Sequence, residues 1–215
     1  PLDLAVRDIE AVVSPEITAL MLPKVESSGH VRLLAEFVAS IEARRGMPIG
    51  HTGFYLDVES VQAFPQMFEI AAADPRVVAF TCGTEDFTAS SGAQPDPDVL
   101  QFPKQMGILA ARAAGVTPLG VMASSIDYRD LDGFRREVAR AKRFGSEGSA
   151  CIHPDQVAIL NEGFSPSENE IADARRVVET YRNAIASGHG AVGLDGRMID
   201  VPVVDRSERV LAIAG

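Results

Sequence analysis

VVAFTCGTEDFTASSG, residues Val77–Gly92, opens on the apolar run Val77-Val78-Ala79-Phe80, the pattern of a buried strand. It breaks at Gly83 into Thr84-Glu85-Asp86-Phe87, and the next glycine is Gly92. In α/β proteins ligands bind outside the carboxyl ends of the strands. Two adjacent carboxylates at a strand exit therefore stand where a cation or an acid/base group is useful. The plain alternative is that Asp86 or Thr84 merely caps a turn, as Asp and Thr often do. The functional reading gains weight from Phe54–Glu59 (FYLDVE), an earlier strand that also ends in a carboxylate.

Outward from these two stretches the chain alternates regularly. A helical stripe of Leu2, Val6, Ile9 and Val13 precedes a strand at Ile17–Leu22, which Pro23 closes. Ser27 or Ser28 caps a helix whose face is Val31, Leu34, Phe37, Val38 and Ile41. Helices are predicted at Ser60–Ala73, with Pro65 in its first turns, at Asp98–Ala114 and at Tyr128–Phe144. Strands are predicted at Val77–Cys82, Leu119–Ala123 and Ser149–Ile152. A helix at Asp155–Asn161 follows. Ser167 and Glu170 form a capping box that opens a long helix to about Ala186. The tail from Gly188 is rich in glycine (Gly188, Gly190, Gly193, Gly196), which favours a mobile arm, with Asp195-Gly196 as a hairpin turn. It ends in an apolar helical stretch, Val210–Ile213. Five strand-then-helix units mean a parallel sheet. They fit an open doubly wound sheet or part of an eight-stranded barrel, which typically takes about 250 residues.

The 215 residues are 46% hydrophobic and 23% charged, ordinary globular composition. No apolar run is long enough to cross a membrane as a helix. The opening PLDLAVRDIE has neither the basic nor the apolar region of a signal peptide. A net charge of −10 without a basic patch argues against nucleic acid and anionic membranes as partners. Cys82 and Cys151 form no disulfide framework and have no metal-ligand spacing, so a reducing compartment, the cytoplasm, is expected.

In FYLDVE the period of two places Tyr55, Asp57 and Glu59 on one face and Phe54, Leu56 and Val58 on the other. Helix-facing positions of a barrel are apolar, so Asp57 and Glu59 should point inward, with Glu59 at the carboxyl end. Glu59 and Asp86, with waters and an oxygen-bearing substrate, would make the all-oxygen site that suits Mg²⁺. The alternative is a rim glutamate and a turn aspartate. Lys24, at the strand exit LPKVE, could meet a phosphate or carboxylate, or be a solvated lysine. His153 could polarise a substrate group, although such a residue more often bonds a loop. No Gly-x-Ser-x-Gly elbow, P-loop or Rossmann glycine fingerprint is present.

Taken together, LPKVES, DVES, GTEDF, ARAAGVTPLGVM, the run from Tyr128 to Val178 containing IHPDQV and FSPSE, and GRMIDVPVV resemble the citrate lyase beta-subunit-like family. That family includes malyl-CoA and citramalyl-CoA lyases, within the wider aldolase/citrate lyase superfamily. The resemblance covers nearly the whole chain. It implies a (β/α)8 TIM barrel with a C-terminal helix and lid, of which about five strands lie in this chain. Residues 1–164 would be a partial barrel and 165–215 the helix and lid. It further implies a homotrimer or hexamer that uses Mg²⁺ to cleave a 3-hydroxyacyl-CoA into an acyl-CoA and an α-keto acid such as glyoxylate or pyruvate. Glu59 and Asp86 match its metal-binding carboxylates. Asp200 matches the catalytic acid/base residue on a lid that reaches a neighbouring subunit's site.

The family commonly has Ile-Glu-Thr where this chain has Val58-Glu59-Ser60, a mild change that keeps the glutamate. It also places three strands before LPKVES, carrying an arginine that holds the developing enolate and part of the coenzyme A site. The expectation is that such strands precede Pro1. Rival readings are a citryl lyase beta subunit acting on an acyl-carrier protein, a metal-dependent aldolase of free hydroxy-keto acids, and a non-catalytic member. GRMID, which belongs to the thioester branch, argues against the aldolase. Retention of Glu59, Asp86 and Asp200 argues against loss of catalysis.

Overall fold

The computed structural model describes residues 2–124 and 126–215. The chain forms two compact units, the first running to Leu160 and the second spanning Asn161–Gly215. In the first, α1 (Leu2–Val12) leads to β1 (Ala19–Leu22), α2 (Ser28–Arg44), β2 (Gly53–Val58), α3 (Met67–Ala71) and β3 (Val77–Cys82). Then come α4 (Glu85–Ser91), α5 (Pro97–Ala114), β4 (Thr117–Pro118), α6 (Leu131–Phe144) and α7 (Pro154–Phe164).

The four strands pair in parallel in the order β1-β2-β3-β4. Each new strand adds to the same edge, so the sheet winds in one direction, as a barrel wall does, without the reversal of a doubly wound sheet. Phe54, Leu56 and Val58 of β2 are fully buried with Val31, Val38 and Ile41 of α2 in one core cluster. This is the helix-facing side that the period of two assigns them. On α1, Ile9 and Val13 are buried, while the Leu2 side chain lies outside the described residues. Near the start of β3, Arg76 donates from both terminal nitrogens to the buried Glu42 carboxylate of α2, at 2.9 and 2.6 Å, and to the Thr52 carbonyl.

Several elements differ from the sequence expectation. No helix runs over Ser60–Ala73: a 3-10 turn at Phe64–Gln66 precedes the five-residue α3. Pro65 has no N–H, and its ring blocks the turn before it, so the α-helix starts only beyond it. The predicted strand Leu119–Ala123 is replaced by the shorter and earlier β4. Gly120 ends the extended chain at φ +118°, where a Cβ would lie 2.6 Å from Thr81 Oγ1, so only glycine fits. Ser149–Ile152 is not a strand. Among the described residues a single parallel bridge joins Leu119 to Gly148, one residue before the expected strand, and Ser146 donates its hydroxyl to the Gly120 carbonyl. The helix expected from Tyr128 begins at Leu131, because Asp130 accepts from Gly133 N and acts as its N-cap.

The second unit holds the end of α7, then α8 (Glu168–Ala186), β5 (Val192–Leu194), β6 (Arg197–Ile199) and α9 (Val201–Ala214). The capping box at Ser167 and Glu170 forms with both of its bonds. Within the glycine-rich segment β5 and β6 pair as an antiparallel hairpin, with its turn where Asp195-Gly196 was expected. Asp195 (φ +51°) and Gly196 (φ +76°) supply its tight turn. Val177 and Val178 of α8, Ile199 of β6 and Val204 of α9 form its core. Arg176 pairs with Asp195, and Arg197 with Asp173 at 3.5 Å, tying the hairpin to α8. Among the described residues both cysteines are free thiols, and no helix is long and apolar enough to cross a membrane.

Candidate active site

The carboxyl ends of β1, β2 and β3 bring three sequence-distant segments together. Glu59 follows β2 directly. Asp86 stands in the first turn of α4, an element read in the sequence only as a strand exit. Its signals were present in an acidic first turn and a glycine, Gly92, after the last helical residue. Thr84 makes no side-chain cap hydrogen bond there. Lys24, two residues beyond β1, joins the pair: its backbone N–H donates to Glu59 Oε2 and its ammonium to Asp86 Oδ1, both at 3.0 Å. The next amide, Val25 N, donates to the Asp57 carbonyl, so the β1 exit lies across the β2 exit. Lys24 is therefore no free surface lysine.

Gly83 makes the close approach of the strand exits possible. A Cβ there would lie 2.6 Å from Glu59 Cγ and 3.3 Å from Asp57 Oδ1. Its own N–H donates to the Val58 carbonyl at 2.8 Å.

Beneath Glu59 lies Asp57, buried on the inward face as the alternation requires. Burial first, then the charge of Glu59, push its carboxyl up to about 8 against the attraction of Lys104. Burial and the charge of Asp86 also raise the pKa of Glu59, opposed by Lys24. Lys104 of α5 is fully buried and donates to the Cys82 carbonyl at 2.7 Å. Burial lowers its pKa, partly offset by Cys82, Asp57 and Glu85. Burial also pushes the Cys82 thiol up to about 12. Sequence reasoning missed Lys104, although it shares a helical stripe with the buried Leu100, Gly107, Ile108 and Ala111. A lysine on an apolar stripe is the signal that would have found it.

The site suits a hard divalent cation. Its donors are carboxylate oxygens: the charge of Asp86 raises the pKa of Glu59, and that of Glu59 raises the pKa of Asp57. Asp57 Oδ1 is sealed from solvent with no hydrogen-bond partner among the described residues. No three acidic, histidine or cysteine side chains gather among the described residues to form a protein-only cage. Two carboxylates with waters and substrate oxygens are the pattern of Mg²⁺ rather than of a structural metal.

Two further residues singled out in the sequence are His153 and Asp200. His153 stacks on Tyr128 with ring centroids 4.7 Å apart, and its Nδ1 accepts from Asp155 N, so it serves its loop. Asp200, in the second unit, occupies the N-cap position of α9 yet makes no side-chain cap bond. Its neighbours Met198 and Val201 are 68% and 53% exposed, whereas Ile199 is buried in that unit's own core.

Residues 3–154 match the family model described as HpcH/HpaI aldolase/citrate lyase. Citrate lyase subunit beta of Escherichia coli strain K12 is 33% identical over 211 residues, covering 97% of this chain and 69% of that protein. The L-malyl-CoA/beta-methylmalyl-CoA lyase of Cereibacter sphaeroides is 30% identical over 227 residues, covering 96% and 70%. The crystal structure of CitE from Mycobacterium tuberculosis in complex with magnesium, acetoacetate and coenzyme A superposes with a TM-score of 0.75. It is 32% identical and covers 97% of this chain and 73% of that one.

Proposed function

The chain belongs to the HpcH/HpaI aldolase/citrate lyase family, and from that premise we propose that it is a magnesium-dependent lyase of 3-hydroxyacyl-CoA thioesters. It cleaves a carbon–carbon bond, in a substrate such as malyl-CoA or citramalyl-CoA, to give an acyl-CoA and an α-keto acid. The carrying observation is the carboxylate pair Glu59 and Asp86, set on neighbouring strand exits and joined through Lys24. Glu59 and Asp86 would hold magnesium, which would supply a Lewis acid for the oxygens of the portion that becomes the keto acid. The Lys24 N–H holds one oxygen of Glu59, which fixes the orientation of its carboxylate. Gly83 keeps the space beside Glu59 clear of a side chain.

Asp200 is the acid that protonates the thioester enolate carbon in cleavage, and the base that removes that proton in the reverse direction. Its carboxylate makes no cap hydrogen bond at the α9 N-terminus, and the exposed Met198 and Val201 beside it suit a surface that covers a pocket and excludes water. We assign it to the site of a neighbouring subunit in a homotrimer or hexamer. The similarity to citrate lyase subunit beta favours, as a second reading, a citryl thioester carried on an acyl-carrier protein.

Assay of cleavage of malyl-CoA, citramalyl-CoA and carrier-bound citryl thioester decides between these substrates. Asp86→Asn and Glu59→Gln should each abolish turnover with the far-ultraviolet spectrum unchanged. Full activity after removal of divalent cations by a chelator would overturn the assignment.

A further inference from the structure

We propose that Lys24 is the exchangeable internal counter-ion of the carboxylate pair: a divalent cation displaces its ammonium from Asp86, while its backbone N–H stays on Glu59. The inference rests on the reading of Glu59 and Asp86 as the metal-binding pair.

One residue contacts both carboxylates through two different groups, each at 3.0 Å. The two groups differ in freedom. The backbone contact is built in: Lys24 lies at φ +54°, in the left-handed region that residues with a Cβ rarely adopt. In that conformation its amide meets the Glu59 carboxylate while the following amide, Val25 N, meets the Asp57 carbonyl. The side-chain contact is loose. Its two members are 66% and 53% exposed, and the ammonium rides on a flexible stem. A solvent-exposed ion pair of this kind contributes little and is readily replaced.

The choice of residue points the same way. The chain has only three lysines, Lys24, Lys104 and Lys142, among 20 basic residues. Two of the three serve these strand exits. Arginine would grip a carboxylate with a planar two-pronged fork, whereas lysine offers a compact, hydrated point charge that leaves without breaking paired bonds. A single ammonium leaves two mutually repelling carboxylates incompletely neutralised, and a divalent ion completes the balance. Magnesium loading then frees the Lys24 side chain at the mouth of the site, where a substrate carboxylate can meet it.

The test combines magnesium titration calorimetry with lysine-selective ¹⁵N spectra of the ammonium groups, whose Lys24 signal is assigned by its loss in Lys24→Gln. Wild type should bind Mg²⁺ and Asp86→Asn should not. Lys24→Gln should bind it about twofold to fivefold more tightly, the size of an exposed ion pair no longer in competition. The Lys24 ammonium signal should shift during the titration, and the Lys142 signal should not. If wild type binds Mg²⁺ but Lys24→Gln binds it no more tightly, or the Lys24 signal stays still, the inference fails and the metal assignment stands. If wild type binds no Mg²⁺, or Asp86→Asn binds it equally well, the metal assignment fails and takes the inference with it.

Discussion

A single missing methyl group decides how closely the strand exits approach one another. Gly83 lies so near Glu59 that a Cβ would meet its Cγ at 2.6 Å, the middle of the side chain rather than a tip that can swing aside. Gly83→Ala should therefore displace Glu59 while costing only about 1–3 kcal/mol of stability, the usual range for local overpacking. Magnesium affinity should fall at least about tenfold, equivalent to about 1.4 kcal/mol of lost binding. Calorimetry and thermal melting of the variant check both halves, and unchanged affinity would show that Glu59 does not hold the metal. Asp57 illustrates what composition hides. Its inward direction and its nearness to Glu59 follow from the period of two, but its burial, the chief cause of its raised pKa, and the opposing charge of Lys104 arise only through the fold.

Among the elements, α2 and β3 are joined by the buried pair of Glu42 and Arg76. Burial alone would raise the pKa of Glu42. The Arg76 guanidinium and the backbone N–H groups of Thr52 and Gly50 outweigh it and hold the group at about 2. Glu42→Gln leaves a buried guanidinium without its counter-charge and should cost about 3–5 kcal/mol. Denaturant titration at neutral pH measures this, and a loss below about 1 kcal/mol would mean that the pair breaks without consequence. In the second unit, Ser167→Ala removes one side of the capping box of α8 and should cost about 1 kcal/mol in the same measurement. α8 carries Arg176 and Asp173, which secure the hairpin that precedes Asp200. The variant should thus loosen the hairpin before it unfolds the sheet, with faster amide exchange at β5 and β6 than at β2.

For the whole molecule, the depressed pKa of Glu42 sets an acid limit. A carboxyl lowered from 4.5 to about 2 on folding contributes on the order of 3 kcal/mol. Because the folded value lies below the unfolded one, that contribution is complete above about pH 4.5 and is lost as pH falls toward 2. Denaturation midpoints at pH 7, 4 and 3 should decline accordingly, and the decline should flatten in Glu42→Gln. Activity across subunits belongs to the same scale. Asp200→Asn and Asp86→Asn proteins should each be nearly inactive. Mixed oligomers assembled from equal amounts should regain activity, up to about one quarter of the wild-type level if each site draws its lid from a neighbour and subunits assort at random. If demonstrated subunit exchange restores nothing, Asp200 acts within its own chain or not at all.

Local pattern alone determined much of this protein. The alternation of strand and helix, the apolar face Phe54-Leu56-Val58, the capping box at Ser167 and the turn at Asp195-Gly196 are properties of neighbouring residues, and neighbouring residues specify them. The positions of Glu59 and Asp86 at neighbouring strand exits were legible because strand exits can be counted. The short α3 follows from the local effect of Pro65, but the early end of β4 and the lone bridge at Gly148 were not legible, because Gly120 and Ser146 act through what they meet in space. The same holds for Lys24. As a letter in LPKVES it is indistinguishable from a solvated lysine. Only the parallel order β1-β2-β3 brings a residue 35 positions from Glu59 and 62 from Asp86 within hydrogen-bonding distance of both.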